Sequence, residues 1–166
     1  IPVAGNTITQ EIAKSFQVDF RTAERMKREH SFVALGGVYA GAGDETADRV
    51  SKVIRNVVTR LHAEVNRSVN FYRSQQSGSV PARVLLTGGS SIIPHMDTFF
   101  REKLKVDVDY LNPFVNVAVG GRASPEKVGE EFFALGEVVG LALRRAGPCP
   151  VEINLMPPNL VQKKTF

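Results

Sequence analysis

The stretch RVLLTGGSSIIP, Arg83 to Pro94, is a short apolar run followed by two glycines, two serines and a proline suited to the first turn of a helix. A strand that ends in Gly-Gly-Ser and turns into a helix leaves bare backbone at the carboxyl edge of a sheet, where open α/β sheets bind ligands. The segment therefore predicts a nucleotide-type pocket. Working outward, Val106 to Tyr110 reads as a second strand, with a helix from Pro94 to Lys103 between the two and an Asn112-Pro113 break after it.

Upstream, Ile1 to Ala4 reads as the end of a strand already under way, so the chain is expected to be part of a larger protein, and its unpaired opening strand to favour a homodimer of the isolated piece. Gly5-Asn6-Thr7 then turns into a helix capped by Asn6 or Thr7, with Gln10 completing a capping box and Ile8, Ile12 and Phe16 on one face. A second helix is expected from Asp19 to about His30. The glycine-rich run Ser31 to Gly43 has no Gly-Lys-Ser/Thr ending and no strand-to-helix glycine spacing; a connection fits it better than a phosphate loop. From Asp44 to about Arg73, Val50, Val53, Ile54, Val57, Val58, Leu61, Val65 and Val69 recur at three- and four-residue steps, a core helix whose stripe is too short and broad for a coiled coil. Glu130 to Arg145 predicts a final helix. The mixture is α/β, without internal repeats.

Composition narrows the function. Of 166 residues, 43% are apolar and 23% charged, as in ordinary soluble domains, and no apolar run approaches the roughly 18 to 20 residues that span a bilayer. The single cysteine, Cys149, excludes an internal disulfide and suits a reducing compartment. The net charge of +4 is scattered along helices among acids, without an aromatic-interleaved basic strand or zinc-finger spacing, which argues against nucleic-acid binding. His30, His62 and His95 lack paired ligand spacing, so no metal centre is expected, and Ser90 and Ser91 lack a nucleophile elbow, so no catalytic residue is assigned.

Chemistry concentrates in the second helix and the glycine turn. A spacing of three puts Glu24 and Lys27 on one helix face, where a carboxylate can accept ribose hydroxyl protons and an ammonium can sit near the sugar or a phosphate. Gly88 and Gly89 let backbone approach a nucleotide where a Cβ would collide. Taken singly, such a pair is most often a surface salt bridge and such a loop only a turn.

The order and spacing of AERMK at 23–27, LTGGSS at 86–91 and the Asn112-Pro113 turn resemble the second lobe of the actin-like (ribonuclease H-like) ATPase superfamily. Within it, AGNTITQEIA at 4–13, AEVNRSVNFYR at 63–73, VLLTGGSSIIP at 84–94, LNPF at 111–114 and VGLALR at 139–144 are most similar to the PilM family of type IV pilus assembly, with the FtsA family of cell division second. The resemblance implies a second lobe over 1–147, a small inserted subdomain at about 14–62, and a tail over 148–166. It implies ATP or ADP with Mg2+ in the intact protein, with Glu24 and Lys27 at the ribose and Gly88, Gly89 and Ser90 beside the adenosine and phosphates. Gly5 would flank the nucleotide, and Arg28 and Ser31 would lie against the base. Ala4 stands where the superfamily usually has a glycine, Ile92 replaces the arginine that chaperone relatives stack on adenine, and Phe114 replaces an acid.

The first lobe, with its phosphate loop and water-activating residue, has no counterpart in this sequence, so the chain alone is not expected to hydrolyse ATP; the intact protein would be at most a weak ATPase. The tail's VEINLMP is similar to the Ile-Asn-Leu-Leu-Pro peptide by which PilN-like inner-membrane proteins dock on PilM. Ile153, Asn154, Leu155 and Pro157 are thus candidate partner contacts, filling a groove of this or a neighbouring molecule, beginning a fused PilN-like segment, or forming a solvated arm. The function implied is a cytoplasmic scaffold, peripheral to the inner membrane through its partner. The alternatives are a fragment of an ATP-hydrolysing actin- or chaperone-type enzyme and an FtsA-like tether. The tether needs a C-terminal amphipathic helix, against which Pro157 and Pro158 argue.

Overall fold

The structure, a computed structural model, describes residues 2–35, 44–121, 123–144, 146–148, 155 and 157. Helices α1 (Gly5–Phe16), α2 (Phe20–His30) and α3 (Glu45–Gln75) come first, followed by strand β1 (Arg83–Leu86), helix α4 (Met96–Leu104) and strand β2 (Asp107–Tyr110). Helix α5 (Pro125–Glu131), a 3₁₀ turn (Phe132–Ala134) and helix α6 (Gly136–Leu143) complete the described elements. The class is mixed α/β, as expected.

The three N-terminal helices pack on one another because each carries an apolar stripe. Ile8 and Ile12 of α1, Ala23 of α2, and Val50, Ile54, Val57 and Val58 of α3 are all buried. Met96, Phe99 and Phe100 of α4 and Val108 of β2 extend that core, with Phe99 and Phe100 edge to face at 5.4 Å. Deleting a fully buried Ile or Leu side chain typically costs about 2–5 kcal/mol, so this seam is where the fold's stability is concentrated.

β1 and β2 run parallel, with Arg83 opposite Asp107 and Leu86 opposite Tyr110, and the Leu111 amide continues the ladder to the Leu86 carbonyl at 2.8 Å. Parallel neighbours require a crossover, and α4 supplies it. Arg101 of α4 donates to the Val108 carbonyl at 3.1 Å, tying helix to strand. The segment after α2 is held to the same unit by the Val33 amide, which donates to the Pro94 carbonyl at 2.9 Å.

Four details depart from the sequence reading. Pro2 to Ala4 form no strand, because strand structure needs a paired ladder and the sheet among the described residues is β1–β2 alone. Helix α1 starts earlier than its expected caps: Ala4 is the N-cap, and Thr7 at the third helical position reaches back to accept from the Ala4 amide at 3.2 Å. Pro94 does not open α4. His95 intervenes in a left-handed conformation, φ 68°, and the helix begins at Met96.

The fourth departure is the largest. The expected continuous helix over 130–145 is broken into α5, the 3₁₀ turn and α6. The Phe133 carbonyl is turned out of any helical ladder to accept from the Gly88 amide at 2.7 Å and the Thr87 hydroxyl at 2.9 Å. Ser124 caps α5 with Pro125 in its first turn, so the helical segment also begins earlier than its apolar pattern implied.

Candidate nucleotide cleft

The strand-to-helix turn expected at 88–91 is present and is rigidly closed on itself. The Gly88 carbonyl accepts both the Ser91 amide at 2.9 Å and the Ser91 hydroxyl at 2.7 Å, and Ser91 is buried. Gly88 has φ 91°, which an L side chain rarely adopts, so glycine is required there for the backbone alone. A Cβ built at Gly88 or Gly89 meets nothing within 4 Å, so open space lies beside that backbone, as a cradle for a ligand requires. Gly5 differs: a Cβ added there would collide with Ser90 Oγ, because the first turn of α1 closes directly against the glycine turn.

Helix α2 contributes the charged wall. Its N-cap Asp19 accepts from the Thr22 amide at 2.9 Å and starts the helix in the phase that buries Ala23 and Lys27 while leaving Glu24 half-buried. Lys27 Nζ lies 2.6 Å from Glu24 Oε2 and donates to Thr9 Oγ1 at 2.9 Å, and Thr9 Oγ1 donates to the same Glu24 Oε2 at 2.5 Å. Arg28 Nε meets the other carboxylate oxygen at 3.3 Å. Burial pushes the Glu24 carboxyl up, but the Lys27 ammonium, the Thr9 hydroxyl and Arg28 together outweigh it and hold the group below the usual carboxylate range.

These pieces face one cleft of about 1200 Å³. Gly5, Glu24, Lys27, Arg28, Ser31, Gly88, Gly89 and Ser90 all line it, so every residue assigned to the nucleotide from sequence is brought together. Its deeper part is apolar, walled by Val57, Val58 and Leu61 of α3 and by Met96 and Phe100 of α4, with half-exposed Ile92 at the rim. A mostly apolar pocket with a few convergent polar groups is the usual arrangement of a small-molecule site. A smaller depression of about 290 Å³ between α1 and α3 is lined by Glu11, Lys14 and Arg60. It lacks both the glycine turn and the carboxylate–ammonium pair, and the larger cleft is the candidate site on that chemistry.

Other expectations fall elsewhere. The Asn112-Pro113 turn forms, with Asn112 Oδ1 accepting from the Phe114 amide at 2.9 Å, but it does not line the cleft. Ile153 and Asn154 lie outside the described residues; Leu155 is 91% exposed and Pro157 is exposed. Two participants were missed. Thr9 was legible as the polar residue placed between Ile8 and Ile12 on the buried face of α1, whereas the Phe133 carbonyl is a backbone group and carries no side-chain signal. Among the described residues no cluster of three metal-ligating side chains occurs.

A family model described as type IV pilus assembly protein PilM matches residues 2–146. A solved PilM–PilN type IV pilus biogenesis complex superposes with a TM-score of 0.70 at 29% identity, covering 89% of this chain and 38% of that one. The cell division protein FtsA of Agrobacterium fabrum (strain C58) and that of Rhizobium radiobacter are each 31% identical over 104 residues, 55% of this chain and 24% of theirs. The chain therefore spans about a quarter of the curated relatives' length and well under half of the solved one's.

Proposed function

The chain belongs to the PilM family of type IV pilus assembly proteins, and from that premise we propose that it is the nucleotide-binding second lobe of an actin-like cytoplasmic scaffold in the inner-membrane platform of a pilus or related secretion machine. The observation that carries the reading is the convergence of Glu24, Lys27, Gly88, Gly89 and Ser90, from two separated segments, on one cleft. In this reading 1–147 form the lobe, with an inserted subdomain at about 14–62, and 148–166 form the tail.

ATP or ADP with Mg2+ is the ligand assigned, and it supplies the phosphates and the charge that close the two lobes. Glu24 accepts from ribose hydroxyls and Lys27 balances its charge. The backbone at Gly88 and Gly89 lets the sugar-phosphate approach, and the first turn of α1 at Gly5 presents amides that favour anions. Arg28, Ser31 and Ile92 would flank the base by cationic, polar and apolar contact respectively. In this reading nucleotide acts as a structural or switching ligand with weak turnover in the intact protein, and this chain supplies one of the two sides of the cleft on which phosphoryl transfer draws.

The partner assigned is a PilN-like inner-membrane protein, consistent with the solved relative being a PilM–PilN complex. No described helix is long and apolar enough to cross a membrane, so attachment through a partner fits. The INLMP segment, of which Leu155 and Pro157 are described and exposed, is the part assigned to a docking groove of this or a neighbouring molecule.

The test is a fluorescent-ATP titration of the full-length protein with magnesium, beside the double variant Glu24→Ala, Lys27→Ala. Binding by the wild type and a loss of about tenfold or more in the variant is expected. A wild type that does not bind removes nucleotide from the reading. The scaffold part is tested separately by titrating an Ile-Asn-Leu-x-Pro peptide, and absence of binding together with rapid phosphate release would favour a true ATPase.

A further inference from the structure

Thr9 is buried at 0% exposure and holds both ionic groups of the cleft. Its hydroxyl has one proton and two potential acceptors, Glu24 Oε2 at 2.5 Å and the Gly5 carbonyl at 3.2 Å. The shorter, charge-assisted bond takes the proton. The hydroxyl's lone pairs then receive Lys27 Nζ at 2.9 Å, and Lys27 reaches the same Oε2 at 2.6 Å. One carboxylate oxygen is thus saturated by two donors.

The other oxygen, Oε1, meets Arg28 Nε at 3.3 Å, and that arginine side chain is 78% exposed. A carboxylate's terminal torsion is soft, so a single ion pair to an exposed arginine does not fix the plane of the group. Two donors held in the core do. We propose that Thr9 is a positioning residue for ribose recognition: by pinning Glu24 Oε2 it presents Oε1 as a fixed acceptor to the sugar hydroxyls, and so makes the cleft selective for ribonucleotides over deoxyribonucleotides. The inference rests on the nucleotide reading above.

A site built to accept from a hydroxyl rejects the analogue that lacks it, because the acceptor is left unpaired. A site whose acceptor is free to rotate rejects that analogue less, since the loose oxygen can turn to water or to Arg28. Thr9→Val replaces the hydroxyl by a methyl of the same shape and leaves the Lys27–Glu24 pair in place. Thr9→Ser restores the hydroxyl.

The experiment is calorimetric titration of the full-length protein and its Thr9→Val and Thr9→Ser variants with ATP, 2′-deoxy-ATP and 3′-deoxy-ATP, each with magnesium. The wild type is expected to prefer ATP over the better of the two deoxy analogues by roughly tenfold, Thr9→Val to bring the ratio within about twofold, and Thr9→Ser to recover most of it. A general loosening of the fold would weaken all three ligands together and leave the ratio unchanged. Should Thr9→Val fail to fold by circular dichroism, Thr9→Ala carries the same comparison. A hydroxyl-free variant that keeps the wild-type ratio, or a serine variant no better than valine, overturns the role of Thr9. A wild type that binds ATP and the deoxy analogues equally overturns it too while leaving nucleotide binding intact. A wild type that binds none of them defeats the nucleotide reading and the inference with it.

Discussion

Removing either partner of the Glu24–Lys27 pair should have unequal consequences, because the two ends are buried differently. The Lys27 side chain is 11% exposed and its ammonium is held by Glu24 Oε2 at 2.6 Å and the Thr9 hydroxyl at 2.9 Å, while the Glu24 side chain is 28% exposed and has Arg28 as a second cation. Glu24→Gln keeps the shape and a carbonyl oxygen but leaves a nearly buried ammonium without its counter-charge, and costs about 2 kcal/mol. Lys27→Met removes the ammonium and keeps the stem's packing; the carboxylate retains Thr9, Arg28 and solvent, and the cost is about 1 kcal/mol or less. At about 2–4 °C per kcal/mol for a domain of this size, the melting temperatures should separate by a few degrees. The double variant should cost less than the sum of the singles by about 1 kcal/mol, since the two share one interaction. Urea and thermal unfolding at pH 7 measure all three. A Lys27→Met variant as damaging as Glu24→Gln, or strict additivity, would refute the reasoning. The pH dependence gives a second check. Glu24's folded pKa is depressed, so its contribution is complete above the ordinary carboxylate range and is lost as the pH falls below that range and through the lowered value. The gap between wild type and Glu24→Gln should therefore shrink in acid.

Three further outcomes follow from the same geometry. Gly88→Ala forces an L residue to φ 91° and should cost about 1–3 kcal/mol from backbone strain alone, whereas Gly89→Ala, which meets nothing within 4 Å and needs no positive φ, should stay within about 0.5 kcal/mol; urea unfolding that ranks them equally would discount the strain. Ile54→Ala, at 0% exposure in the seam between α3 and its neighbours, should lose about 2–5 kcal/mol, read from the same unfolding curves, and a smaller loss would mean the core collapses around the gap. Asp19 is held below its ordinary pKa by the Thr22 amide and hydroxyl, so Asp19→Ala should lower the melting temperature at neutral pH, with the difference shrinking as the pH falls below the ordinary carboxylate range and through the lowered value; a difference undiminished in strong acid would point to a cause other than the charged cap.

Much of the architecture was legible locally. The stripe Val50, Ile54, Val57 and Val58 announced α3, Asp19 announced the start of α2, and the glycine turn after Val84-Leu85-Leu86 was correctly placed between a strand and a helix. Such signals are legible because they come from residues within a few positions of one another, where period and capping chemistry act. The break of the last helix was not legible: its cause is a carbonyl at Phe133 taken by an amide and a hydroxyl some 46 positions away, and nothing in the intervening sequence marks a backbone acceptor.

The same division runs through the site. Sequence alone determined which side chains carry charge, that Glu24 and Lys27 share a helix face, and that Gly88 and Gly89 leave backbone bare, since each of these follows from spacing or from the absence of a Cβ. Only the tertiary structure decided that α1 delivers Thr9 between those two charges, that Gly5 closes on Ser90, and that α3 and α4 wall the cleft with apolar groups. Those contacts join segments distant in the chain, and their energy comes from burial and from hydrogen bonds in a low-dielectric interior that exists only once the helices have packed.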